Sequence, residues 1–149
     1  MSLNIGGAAE TIDIGVKNDS GAVCSVGEVM QIKLDGDGFK VGVPAAPVAT
    51  MRNLTGVIVG RPGATFANGD EMMMRVFGPC KAMIQAGGAV AAGNQISYSA
   101  ANKYFTIAAA GAPASADAAA LIRGSNTQAT AGAVAASTLY DVWLSWPNG

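Results

Sequence analysis

Histidine is absent from the 149 residues. The commonest general base and metal ligand is therefore missing, which weighs against acid–base catalysis and against a metal site. Charge is scarce as well. Asp, Glu, Lys and Arg make up 13% of the chain, against about a quarter in ordinary soluble domains. The net charge is −1, from nine basic and ten acidic residues, and neither sign forms a run. Nucleic-acid binding needs a basic patch, so no nucleic-acid partner is expected. No apolar run approaches the roughly 18 residues that span a membrane, and there is no basic amphipathic helix, so no membrane partner is expected either. The opening residues, Met1-Ser2-Leu3-Asn4-Ile5-Gly6-Gly7, lack the basic and apolar regions of a secretion signal. The two cysteines, Cys24 and Cys80, lie too far apart for a CxxC motif. They read as two buried free thiols, with a disulfide between them as the alternative.

Large core-filling side chains are few. Aromatics are 6% of the chain, and much of the 50% hydrophobic content is alanine, which buries little area. A length of 149 residues still suits one domain that buries roughly two-thirds of its unfolded surface. The small, glycine-containing residues 1–10 read as an N-terminal arm, and residues 11–149 as one β domain. A surface so poor in charge fits one that partner subunits cover.

What the chain does contain is strand alternation punctuated by turns. The clearest stretch is Asn68-Gly69-Asp70-Glu71-Met72-Met73-Met74-Arg75-Val76-Phe77-Gly78. Asn68-Gly69 makes a turn, and the strand after it puts Met72, Met74 and Val76 on one face and Glu71, Met73, Arg75 and Phe77 on the other. Gly78-Pro79 is expected to stop it, with Cys80 to Ile84 as a further short strand. The same grammar predicts strands at Ile12-Val16, Ala22-Gly27, Glu28-Leu34, Phe39-Val43, Leu54-Gly60, Gln95-Ser99, Tyr104-Ile107, Ala120-Gly124 and Leu139-Trp146. Asp35-Gly36-Asp37-Gly38 predicts a hairpin. In the last strand Tyr140, Val142, Leu144 and Trp146 share an apolar face, and Leu139, Asp141, Trp143 and Ser145 share the other. About ten short strands spaced by turns predict an all-β fold, a small antiparallel barrel or jelly-roll-like sandwich with long Ala/Gly loops.

A cassette recurs three times, at Ser25-Val26-Gly27-Glu28-Val29-Met30, Ala67-Asn68-Gly69-Asp70-Glu71-Met72 and Ala91-Ala92-Gly93-Asn94-Gln95-Ile96. In each, Gly permits a turn and an apolar residue three positions on enters a strand. Unequal spacing favours simple turn preference over an internal duplication. The candidate chemistry is thin. Asp35-Gly36-Asp37-Gly38 superficially resembles a calcium loop but lacks the further oxygen ligands. Asp70 and Glu71 are adjacent, so a strand points them to opposite faces and they cannot share a proton. No serine sits in a nucleophile elbow, and no phosphate loop occurs. No catalytic, cofactor-binding or metal-binding residue is expected. Core filling is the expected role for Met72 and Met74, while Met73, Phe77 and Trp143 are the residues expected to meet a neighbour.

From about residue 20 to residue 146 the order of segments resembles a family of tailed-phage head proteins, the capsid decoration or cement proteins. The resemblance is carried by the Gly27-Glu28-Val29-Met30 strand start, Leu54-Thr55-Gly56-Val57-Ile58-Val59, Gly69-Asp70-Glu71 and Arg75-Val76-Phe77-Gly78. It continues through Ala92-Gly93-Asn94-Gln95-Ile96-Ser97-Tyr98, Leu121-Ile122-Arg123-Gly124 and Val142-Trp143-Leu144. The family pattern reads differently at Arg123-Gly124-Ser125. The resemblance implies a non-enzymatic virion protein without cofactors, made in the host cytoplasm and placed on the capsid exterior. Its implied partners are the phage major capsid protein and its own copies, as a trimer in the first instance and a dimer in the second. A tail-tube, fibre or adhesin module is the alternative reading, and a β-barrel enzyme or small-ligand binder a more distant one.

Overall fold

A computed structural model describes residues 11–33, 35, 39–45, 55–84, 95–98, 101–107, 120–122 and 139–144. The expectations for the arm at 1–10, the Ala/Gly segments at 85–94, 108–119 and 123–138, and Ser145 and Trp146 fall outside those residues. Described residues hold eleven strands and no helix: β1 (Ile12–Asn18), β2 (Cys24–Ser25), β3 (Val29–Ile32), β4 (Lys40–Gly42), β5 (Thr55–Val59), β6 (Thr65–Phe66), β7 (Glu71–Met83), β8 (Gln95–Tyr98), β9 (Phe105–Ile107), β10 (Ala120–Ile122) and β11 (Leu139–Leu144). The all-β expectation is met.

Nine strands form one sheet in the order β1-β4-β3-β5-β7-β11-β10-β8-β9, and β1 pairs again with β7. That second pairing closes β1, β4, β3, β5 and β7 into a barrel-like ring. The ring departs from a purely antiparallel pattern at one seam, where β1 and β4 run parallel through Lys17–Lys40 and Asn18–Val41. A small separate ribbon joins β2 to β6. β6 was not visible in the sequence, and β2 is shorter than expected, because a two-residue strand shows no alternation to read.

β7 belongs to both halves of the fold. Its first part pairs with β1 from Glu71 to Phe77 and with β5 at Met73, Met74 and Arg75. Its second part pairs with β11 from Gly78 to Met83. Gly78-Pro79 therefore does not stop the strand, and Cys80 to Met83 continue it. Gly78 takes φ +98°, a conformation glycine adopts without a Cβ clash. Pro79 lacks an N–H and is tolerated at such an irregularity. The Arg75 Nη1 donates to the Pro79 carbonyl at 2.7 Å, which holds the bend. The strand thus changes partners at its glycine instead of ending there.

Two apolar cores follow from this. Val16, Cys24, Met30, Ile32, Val41, Ile58, Met72 and Met74 fill the ring. Val29, Val57, Ala82, Ile84, Ile96, Phe105, Tyr140, Val142 and Leu144 fill the space toward β8 to β11. β3 and β5 are the wall between them: Met30 and Ile58 face one core, Val29 and Val57 the other. Burying a side chain of this size stabilises by about 1.5–3 kcal/mol, so these wall strands are apolar on both faces. Gly56 sits where β5 meets β7, and a Cβ there would lie 2.5 Å from the Arg75 carbonyl oxygen.

Two of the three cassettes adopt the same turn. Glu28 N donates to Ser25 O at 3.1 Å and Asp70 N to Ala67 O at 3.0 Å. Gly27 and Gly69 share φ +96°, the third position of a type II turn. Arg61-Pro62-Gly63-Ala64 repeats the geometry, with Ala64 N donating to Arg61 O at 3.0 Å. The third cassette begins outside the described residues. β3 pairs with β4 antiparallel, as a hairpin at Asp35-Gly36-Asp37-Gly38 requires, although residues 36–38 lie outside the described residues; β8 pairs with β9 antiparallel as well.

Candidate functional site

The alternation of β7 decides which side chains reach the surface. Met72 and Met74 are buried, and Val76 packs against the same core. Met73 is 45% exposed. It stands opposite Gly15 on β1 and opposite Val59 on β5. Gly15 has no side chain, so Met73 has nothing beside it on that flank. A groove of about 830 Å³ lies on one side of it, lined by Val59, Arg75, Pro79, Cys80 and Leu139 among others. A second groove of about 470 Å³ lies on the other side, with Gly15, Lys17, Phe39 and Glu71 in its walls.

The charged groups around this surface are tied to one another across strands. Asp13 accepts two hydrogen bonds from Arg75, from Nε at 2.7 Å and from Nη2 at 2.9 Å. A two-point guanidinium–carboxylate pair is the stronger kind of charge-assisted bond. That hydrogen bonding holds the Asp13 carboxyl below its ordinary pKa and pushes the Arg75 guanidinium above its own. Lys81 Nζ donates to Asp141 Oδ1 at 2.8 Å across β7 and β11. Burial pushes the Cys80 thiol up to about 12. It is therefore a poor nucleophile at neutral pH, although it lines a groove, because only the thiolate reacts. Cys24 is fully buried, and burial raises its pKa too. Both cysteines are free thiols. Among the described residues no group of His, Cys, Asp or Glu is arranged to hold a metal ion.

Of the three residues expected to meet a neighbour, Met73 lies at the centre of this surface. Phe77 lies four residues further along the same strand face, about 13 Å away at ordinary strand rise. Trp143 comes from β11 and meets Phe77 edge to face, with ring centroids 6.4 Å apart and planes at 83°. Both rings are half-buried. The structure thus joins Phe77 to Trp143 and places Met73 apart from them. Three further contributors were not read from the sequence. Gly15 opens the space beside Met73, Phe39 is 65% exposed at the second groove, and Ile12 is 41% exposed opposite Phe77. Ile12 breaks the alternation of β1 because the register shifts between Ile12 and Asp13. No signal in a single sequence marks that slip.

Away from the grooves, Asn18 ties the loops together. It is fully buried at the end of β1. Its Nδ2 donates to the carbonyls of Ala22 at 2.8 Å, Phe66 at 3.0 Å and Ala67 at 3.1 Å. Its Oδ1 accepts from the Ser20 N–H at 3.1 Å and the Ser20 hydroxyl at 2.8 Å.

Compared with protein-family models, the chain matches none, and compared with curated proteins it matches none.

Proposed function

We propose that this protein is a non-enzymatic structural component of a tailed-phage head that binds the outer surface of the assembled icosahedral shell and stabilises it. The observation that carries the reading is the outer face of β7. There a 45% exposed methionine stands between two grooves on a strand paired along both edges. The charges near it, Asp13 with Arg75 and Lys81 with Asp141, are held in cross-strand pairs. Such a face offers preformed apolar contact area, and its ionic groups serve to hold the strands. The order of turns and strands from residue 20 to residue 146 supplies the rest of the argument. Its partners are the major capsid protein and its own copies, in a trimer first and a dimer second.

The mechanism is linkage. A protein that binds the assembled shell and not its separated subunits stabilises the shell by mass action. Repeated copies on a lattice add avidity, so each contact can be weak. Mixing the purified protein with undecorated mature shells and pelleting them tests this. The protein is expected in the pellet at a fixed ratio to the capsid protein. If it stays in the supernatant, shell binding is wrong. Gold-labelled antibodies on the tail of whole particles, with heads unlabelled, would favour the tail-tube, fibre or adhesin reading.

A further inference from the structure

We infer that the chain is a tandem repeat, in which residues 78–144 rebuild the five-stranded ring of residues 12–77. The inference goes beyond shell binding and does not depend on it. The first ring runs β1-β4-β3-β5-β7 and closes where β1 pairs with the part of β7 before Gly78. From Gly78 onward β7 opens a second ring. It pairs with β11, β11 with β10, β10 with β8 and β8 with β9. Ile84 then meets Phe105 of β9 in parallel and closes the circuit. With the β2–β6 ribbon left aside, the first strand of each ring is antiparallel to the fifth and parallel to the third. Parallel pairs are the minority in sheets, yet each ring has one, at the same place.

The registers agree residue by residue. Gly15 faces Met73 as Lys81 faces Asp141. Met30 faces Gly56 as Ile96 faces Ala120. Ile32 faces Val41 as Tyr98 faces Phe105. Ile58 faces Met74 as Ile122 faces Val142. Asn18 meets Val41 in parallel as Ile84 meets Phe105. Each strand takes part in two of these pairings, and one shift along the chain serves it in both: 66 positions for β1 and β3, 64 for β4 and β5, and 68 for β7. A one-residue slip in any strand would turn its side chains to the other face, and none has occurred. Val16 and Ala82, Met30 and Ile96, and Met74 and Val142 are accordingly buried at matching positions. Of the three turn cassettes, the first and third are the matching pair: Gly27 and Gly93 are 66 positions apart and lead into β3 and β8.

The repeats have diverged where they meet and where they face outward. In the first ring Lys17 N donates to Phe39 O across the parallel seam at 2.9 Å. The counterpart atoms in the second ring bond to the first ring instead. Met83 N donates to Gly27 O and Lys103 O accepts from Val29 N, both at 2.8 Å. The turn Gly27-Glu28-Val29 is thus wedged into the second seam, with Glu28 Oε2 3.5 Å from Lys103 Nζ, and Val29 and Val57 complete the second core. A Cβ on Gly27 would collide with Leu139. On the outside, Gly15–Met73 lies between Lys17–Glu71 and Asp13–Arg75, whereas Lys81–Asp141 lies between Met83–Leu139 and Pro79–Trp143. One scaffold used twice therefore presents two unlike faces.

Circular permutation of the full chain is the test. Gly149 is joined to Met1, and the chain is opened between Phe77 and Gly78. Ile12 and Leu144 stand opposite those two consecutive residues, so they lie at most about 10 Å apart. The sixteen residues that then link them can reach about 50 Å. Permutation usually succeeds at exposed loop tips, and this break falls inside the longest strand. It nevertheless leaves each ring contiguous along the chain. The permutant is therefore expected to keep the circular dichroism of the wild type and a single cooperative urea transition. A second permutant, opened between Met73 and Met74, breaks the first ring and is expected to lose both. An unfolded Phe77/Gly78 permutant overturns the inference, because β7 would then be one indivisible strand. Two permutants that fold equally well overturn it too, because the boundary at Gly78 would then have no special standing.

Discussion

Asn18 offers the sharpest test of how the loops are held. Asn18→Ala removes two N–H groups that serve three carbonyls, one nearby at Ala22 and two in a distant segment at Phe66 and Ala67, and one oxygen that receives two donors from Ser20. The backbone bonds from Gly69 N to Asn18 O and from Asn18 N to Asp70 O remain. A typical intramolecular hydrogen bond contributes about 1 kcal/mol net, and buried groups left unpaired cost more, so a loss of about 3–4 kcal/mol is expected. That is a large part of a total of about 5–15 kcal/mol. With a urea slope of about 2 kcal/mol per molar, the unfolding midpoint, read by tryptophan fluorescence, should fall by about 1.5–2 M. Asn18→Asp sharpens the test. It keeps the acceptor for Ser20 but turns a carboxylate toward three carbonyl oxygens. Its folded pKa is raised, so its damage is smallest below about pH 4 and grows as pH rises through the folded value. A midpoint shift under about 0.3 M for Asn18→Ala, or an Asn18→Asp protein whose stability is flat with pH, would refute the reasoning.

Other expectations are independent of this one. Asp13 has a depressed folded pKa, so its stabilisation is complete above about pH 4 and is lost as pH falls through the lower folded value. Asp13→Asn should flatten that acid limb of a stability–pH curve, and an unchanged limb would discount the Arg75 pair. Cys24 and Cys80 should resist a thiol reagent at pH 8 in the folded protein and react in urea; rapid labelling of native Cys80 would contradict its high pKa. Gly56→Ala drives a Cβ against the Arg75 carbonyl and should lower stability by about 1–3 kcal/mol in urea titration. A neutral result would mean that β5 and β7 separate easily.

The sequence revealed structure wherever the cause was local. The faces of β7 and β11 were readable because alternation is a property of neighbours along one chain, and Met72, Met74, Tyr140, Val142 and Leu144 are buried as expected. The turns at Gly27 and Gly69 were readable because glycine at that position is a local requirement. Pro79 was misread because a Gly-Pro pair usually ends a strand; here β11 takes over the pairing just where β1 stops. The role of Asn18 has no local signal, because two of its acceptors, Phe66 and Ala67, are 48 and 49 positions away. The parallel β1–β4 seam and the gap at Gly15 depend on strand register, which no local pattern encodes. Met73, Phe77 and Trp143 were chosen by phase along their strands, and phase says which side chains point outward, not which of them lie together.

Image reconstruction of mature shells after incubation with the protein tests shell binding, the central claim, most directly. The account predicts extra density on the shell exterior, in clusters around local symmetry axes. An unadorned exterior under saturating protein would contradict it.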